Sequence, residues 1–118
     1  VTPDEIALGK NYIEEMARRN GRSVDGDHYG VILNFALADT SETALALAQP
    51  YLIPDKQRRD INAKDINAIG TVDEIIDLIN RFVSAGATKF VMRPTCPPDN
   101  MFEQLSLLTE HIIPNYHQ

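Results

Sequence analysis

The chain has 118 residues, 43% of them apolar and 24% charged, with a formal net charge of −6. That length holds one domain at most, or a piece of a larger one, and the composition is that of an ordinary globular protein. The charge argues against nucleic acid, which needs a dense basic surface, and the single cysteine, Cys96, excludes both an internal disulfide and a multi-cysteine metal site.

No apolar run approaches the ~20 residues of a membrane span, and no signal peptide is visible. One cysteine suits a reducing compartment, so the cytoplasm is the expected location. The chain begins at Val1 rather than methionine, already inside a helix-capping motif, which is expected of a fragment of a longer protein.

Thr2-Pro3-Asp4-Glu5 combines a capping threonine, a proline suited to the first helical position and a glutamate that completes a capping box. The spacing predicts a helix over 3–20 with Ile6, Ile13, Met16 and Ala17 on one face and Tyr12 beside them, stopped by Gly21. The nearly continuous apolar run within His28–Ala36 predicts a strand covered on both sides, as in a parallel sheet. Asp39, with Glu42 three residues later, is the expected cap of a helix running to Ala48, and Pro50 kinks or ends it. Residues 53–67 read as a solvated connection with short turns near Ile61, Asp65 and Ile66, and Ala68-Ile69 as a very short strand.

Thr71-x-x-Glu74 is a second capping box, and Val72, Ile75, Ile76, Ile79, Phe82 and Val83 form a broad apolar face ending at Gly86. Lys89–Arg93 is the next strand, closed by a proline-rich loop. Asn100-x-x-Glu103 predicts a third capping box, opening a helix with Phe102, Leu105, Leu108 and Ile112 on its buried side and ending before Pro114. Alternating helices and strands imply a parallel sheet with right-handed crossovers, yet two or three strands are too few for a complete α/β domain.

Gly70 and Thr71 would point backbone N–H groups and a hydroxyl at an anion, or simply cap an ordinary helix. Arg93 ends a strand, where it could meet an anionic ligand, form a salt bridge to a neighbouring helix, or sit on a solvated rim. Asn34, inside an apolar strand, needs a hydrogen-bond partner, structural or ligand. His28, His111 and His117 are scattered and show no metal spacing, and Cys96 lacks an activating neighbour in sequence. No nucleophile elbow, P-loop or dinucleotide fingerprint occurs.

Gly70-Thr71-x-Asp73-Glu74, followed by Gly86-Ala87-x-Lys89-Phe90-Val91-x-Arg93-Pro94 and a helix ending Ile112-Ile113-Pro114, resembles the C-terminal end of luciferase-like monooxygenases. The Thr2 helix, the Arg18–Arg22 turn and the Tyr29–Phe35 strand resemble the segment before it. The resemblance implies an α/β fold, the closing units of a (β/α)8 TIM barrel forming a single partial domain over 1–118. It also implies an oxidoreductase using reduced flavin mononucleotide (FMN) or a deazaflavin coenzyme on a small organic substrate. Gly70 and Thr71 would contribute to cofactor-phosphate binding and Arg93 would lie near the cofactor mouth. The family usually has proline after that threonine, and this chain has Val72. Most chemistry would lie in an absent N-terminal part, so the isolated chain is expected to be inactive. The competing expectations are a non-catalytic α/β module that self-associates through uncovered sheet surface, and the end of another phosphate-binding barrel such as an isomerase or aldolase.

Overall fold

The computed structural model describes residues 2–22, 29–52 and 66–116. Its helices and strands follow the local chemistry closely. Helix α1 (Pro3–Arg19) starts at Thr2, whose hydroxyl accepts from the Glu5 N–H at 3.2 Å while the Glu5 carboxylate accepts from the Thr2 N–H at 2.9 Å. Two orphan donors of the first turn are thereby satisfied. Gly21 takes a left-handed conformation (φ 68°), which lets the Arg22 N–H reach back to the Ala17 carbonyl at 2.8 Å.

Strand β1 (Gly30–Leu37) leads into helix α2 (Ser41–Ala48) and a single 3₁₀ turn at Gln49–Tyr51. The cap of α2 is Thr40 rather than Asp39. Thr40 is the residue with extended backbone, and its hydroxyl accepts from the Thr43 N–H at 3.2 Å. The short strand β2 (Ala68–Gly70) precedes helix α3 (Val72–Ala85), capped reciprocally by Thr71 and Glu74. Helix α3 stops at Gly86, where the left-handed φ of 113° selects glycine. Strand β3 (Lys89–Pro94) follows, then helix α4 (Met101–Leu107), which widens into a π turn over Leu108–Ile112.

Asn100 does not cap α4 through its side chain. It already has helical dihedrals within the Pro98–Asn100 turn, so its side chain does not receive the first-turn N–H groups. The expected shallow turns near Ile61 and Asp65 lie outside the described residues.

The three strands are parallel in the order β2-β1-β3, with Asn34 opposite Arg93 and Ala36 opposite Ile69. Side chains alternate between sheet faces. One face carries Val31, Leu33, Phe35 and Leu37, which pack against Ile75, Leu78, Ile79 and Phe82 of α3 and against Leu108 and Ile112. This is the core; Ile75, Ile79 and Phe82 of the apolar face expected of α3 lie in it with Leu78, whereas Val83 is exposed. On the other face, α2 covers only one end, through a small cluster of Ala36, Ala44, Ala48 and Ile69.

Beyond that cluster, Ile32 and Val91 remain 59% and 56% exposed. The strand expected to be covered on both sides is therefore covered on one along its first half, because no described element lies over Ile32. The apolar stripe of α1 is likewise largely exposed at Tyr12, Ile13 and Met16, with Ile6 packing against the core.

Helix α4 departs further from its pattern. Phe102 and Leu105 are exposed, and the buried residue is Gln104, at 1% exposure. Its amide receives the Leu37 N–H at 2.7 Å and donates to the Leu37 carbonyl at 2.8 Å. Strand β3 stops pairing at Pro94, opposite Phe35, so β1 extends past its neighbour. Gln104 replaces the missing strand there, satisfying one donor and one acceptor that would otherwise be buried unpaired.

Candidate functional site

Asn34 and Arg93 occupy opposed register positions near the C-terminal ends of β1 and β3, on the sheet face left open by the helices. An open cleft of about 550 Å³ forms beside them. Its floor and walls include Ile32, Leu52, Pro94 and Met101, with Asn67 contributed from the turn before β2.

Three polar side chains are linked there. The Arg93 Nε–H donates to Asn34 Oδ1 at 3.2 Å, and the Asn34 amide donates through Nδ2 to Asn67 Oδ1 at 3.2 Å. The polarity of this chain is forced. Guanidinium has no acceptor, so the Asn34 oxygen must face Arg93, its NH₂ must face Asn67, and Asn67 must present oxygen. Asn67 is buried at 9% exposure, which anchors the inner end of the relay. Arg93 is exposed at the outer end and has no ion pair among the described residues. The salt bridge entertained for it from sequence is not formed among those residues. The partner that Asn34 required is supplied by Arg93 and Asn67 together.

Gly70 and Thr71 form a different corner. Gly70 has φ of 153°, and a Cβ there would stand 2.8 Å from Glu74 Oε1. That same oxygen accepts from the Thr71 N–H at 3.1 Å and from the Ser41 hydroxyl. The glycine thus admits the Glu74 carboxylate, which occupies the first N–H of the α3 terminus as its intrachain anion. The adjacent depression, of about 330 Å³, is lined by Asp73, Glu74, Asp77 and Arg81. Among the described residues, Gly70 and Thr71 line neither this depression nor the Arg93 cleft.

Cys96 lines the Arg93 cleft but is itself 2% exposed. Burial pushes its thiol pKa up, with the Glu103 charge adding to the effect, so it stays a neutral thiol. His111 is exposed, with its Nε2 3.9 Å from the Glu110 carboxylate, and His28 and His117 lie outside the described residues. Among the described residues, no group of histidines, cysteines and acids has a metal-binding arrangement, and no helix is long and apolar enough to cross a membrane.

Sequence reasoning missed Asn67 and Gln104. Asn67 fell in a stretch without periodicity, and its only local sign was its place just before a strand. Gln104 was obscured by apolar neighbours on both sides.

No family model matches the sequence, and no curated protein matches it. The fold aligns over 97% of the chain with monooxygenase RslO1 from Streptomyces bottropensis, at a TM-score of 0.69 and 15% identity. It aligns over 98% with the coenzyme F420 dependent tetrahydromethanopterin reductase from Methanopyrus kandleri, at a TM-score of 0.62 and 20% identity. The chain spans 39% and 43% of those two structures, respectively. Both are TIM-barrel proteins. The chain therefore has the fold of part of a TIM barrel, the architecture expected from its sequence.

Proposed function

We propose that residues 1–118 form a single partial domain, the closing β/α units of a cytoplasmic luciferase-like oxidoreductase that uses reduced FMN or a deazaflavin coenzyme on a small organic substrate. The observation that carries this reading is the uncovered sheet face with Arg93 and Asn34 at its strand ends. In a (β/α)8 barrel the face away from the helices is the interior, and its C-terminal rim holds the active site. The cleft suits a planar ring bearing an anionic arm: its walls combine apolar and polar surface, and its described lining includes one guanidinium and no carboxylate. When bound, the reduced ring supplies the hydride or oxygen chemistry, while this chain binds, orients and shields it. The chain alone is inactive in this reading, because the rest of the ring pocket lies outside it.

Gly70 and Thr71 belong to the proposal as a phosphate-contacting step in competition with Glu74. The phosphate would have to share the α3 terminus with a carboxylate already there. Titration of the full-length protein with FMN, riboflavin and the deazaflavin coenzyme, followed by absorbance, tests both parts. One phosphate-bearing cofactor is expected to bind. Glu74→Gln, which keeps the capping box, is expected to tighten it by roughly threefold to tenfold, the scale of one charge at a helix terminus. Riboflavin affinity should not move. If none of the three binds, the oxidoreductase reading fails; if Glu74→Gln leaves FMN and riboflavin equally unaffected, the Gly70–Thr71 step is not a phosphate contact.

The exposed Ile32 and Val91 favour a second reading, a homo-oligomer that covers this face with another copy. Sedimentation velocity on the 118-residue chain should then show a dimer that the Ile32→Thr, Val91→Thr double variant reduces to monomer. A monomeric parent chain would dispose of self-association.

A further inference from the structure

We infer that Asn67, Asn34 and Arg93 form an oxyanion clamp, a site for a carboxylate or phosphate monoester carried on an apolar organic body. This deepens the reading of Arg93 given above and rests on it for the position of the cleft beside a cofactor; the clamp chemistry itself follows from the side chains.

Asn34 consumes the Nε–H of Arg93. It thereby fixes the plane of the guanidinium and leaves the outer edge, with its two NH₂ groups, as the remaining pair of parallel donors. That edge matches two oxygens of a carboxylate or phosphate in a bidentate contact. The relay has a direction: buried Asn67 holds Asn34, and Asn34 holds Arg93, so the order imposed on the fork comes from the interior.

Charge points the same way. The chain carries 17 acidic residues against 11 lysines and arginines. None of those acids is among the described residues lining this cleft, and Arg93 has no ion pair among the described residues. A guanidinium held by the neutral amide of Asn34 keeps its full charge for a ligand, and no carboxylate among the described lining residues opposes it. Ile32, Leu52 and Met101 provide the apolar wall against which the ligand body would rest.

Asn34 and Asn67 are positioning residues in this scheme, and Arg93 makes the contact. The test uses the full 118-residue chain, labelled with ¹⁵N, and three small probes: benzoate, phenyl phosphate and the neutral benzamide. Benzoate and phenyl phosphate should shift the Arg93 Nε–H resonance and the Asn34 side-chain amide saturably, and benzamide should not. Arg93→Met should abolish the response, and Arg93→Lys should weaken binding at least tenfold because an ammonium offers no planar fork. Asn34→Asp, nearly isosteric, should also cost at least tenfold, since the new carboxylate would pair with Arg93 and fill the role of the ligand. Amide spectra of the three variants outside the cleft should match the parent, which separates loss of the clamp from loss of the fold.

Benzamide binding as tightly as benzoate, or an Arg93→Met variant that still responds, would overturn the clamp. Tighter binding of phenyl phosphate than of benzoate marks a phosphorylated ligand as the source of the oxyanion, and the reverse marks an organic acid substrate. Clamp binding in a protein that takes up no flavin would leave this inference standing and remove the cofactor reading. Flavin binding that ignores Arg93, with no response to either anion, would do the opposite.

Discussion

Replacing Gln104 by leucine is expected to destabilise the fold by about 2–5 kcal/mol, although leucine is apolar and similar in size. The side chain is 1% exposed and makes two hydrogen bonds, both to the backbone of Leu37. Leucine would strand the Leu37 N–H and carbonyl in the interior, and each unpaired buried group costs about 1–3 kcal/mol. The gain in apolar transfer is smaller, because Gln104 already fills the space. Gln104→Glu offers a sharper comparison. A carboxylate cannot donate to the Leu37 carbonyl, whereas the protonated acid can both donate and accept. Burial raises the folded-state pKa of such a group above its unfolded value. Stability is then present at pH below the unfolded pKa and is lost as pH rises through the folded one. Urea denaturation of both variants at neutral and mildly acid pH measures these effects. A Gln104→Leu loss below about 1 kcal/mol would mean that Leu37 finds other partners and that Gln104 does not stand in for a strand.

The features read correctly from sequence are those whose chemistry is local. The capping boxes at Thr2 and Thr71 close within four residues, and the glycine stops at Gly21 and Gly86 need only a left-handed backbone. Strands β1 and β3 announced themselves by composition, and the helical period of α3 carries its buried face correctly into the core. Two local expectations, the caps at Asp39 and Asn100, failed by a residue or a dihedral, and the larger errors arose where a distant group decides the outcome. The α4 pattern favoured Phe102 and Leu105, yet a backbone 67 residues away required an amide and selected Gln104 for the interior. The exposed stripe of α1 and the open face at Ile32 have one cause in common. Periodicity reports which surface is apolar, and the described residues supply no element to cover it. The site followed the same division. Arg93 and Asn34 were flagged one at a time, but their pairing depends on the register between β1 and β3, and Asn67 reaches them from a loop without periodicity. Gly70 and Thr71 were correctly placed at a helix start, while the carboxylate that fills it shows how the same capping box that marks the position also supplies its anion.

The two faces of the sheet should respond very differently to truncation. Phe82 is fully buried and meets the Phe90 ring edge-on, with centroids 6.4 Å apart and planes at 78°. Phe82→Ala removes this contact and opens a cavity between α3 and the sheet, at a cost of about 3–5 kcal/mol. Val91 projects from β3 to the opposite face and is 56% exposed. Little of its surface is withdrawn from water, so Val91→Ala should cost less than about 1 kcal/mol in the isolated chain. Chemical denaturation at several protein concentrations measures both. A concentration-independent difference of the expected size means that the chain folds on one covered face and leaves the other open, as an incomplete barrel does. A Val91→Ala cost that approaches that of Phe82→Ala and grows with protein concentration means that the open face is buried by a second copy, because association adds its free energy to folding. Such a result would also place Arg93 and Asn34 at a subunit boundary, where the clamp would have to bind its oxyanion between two chains.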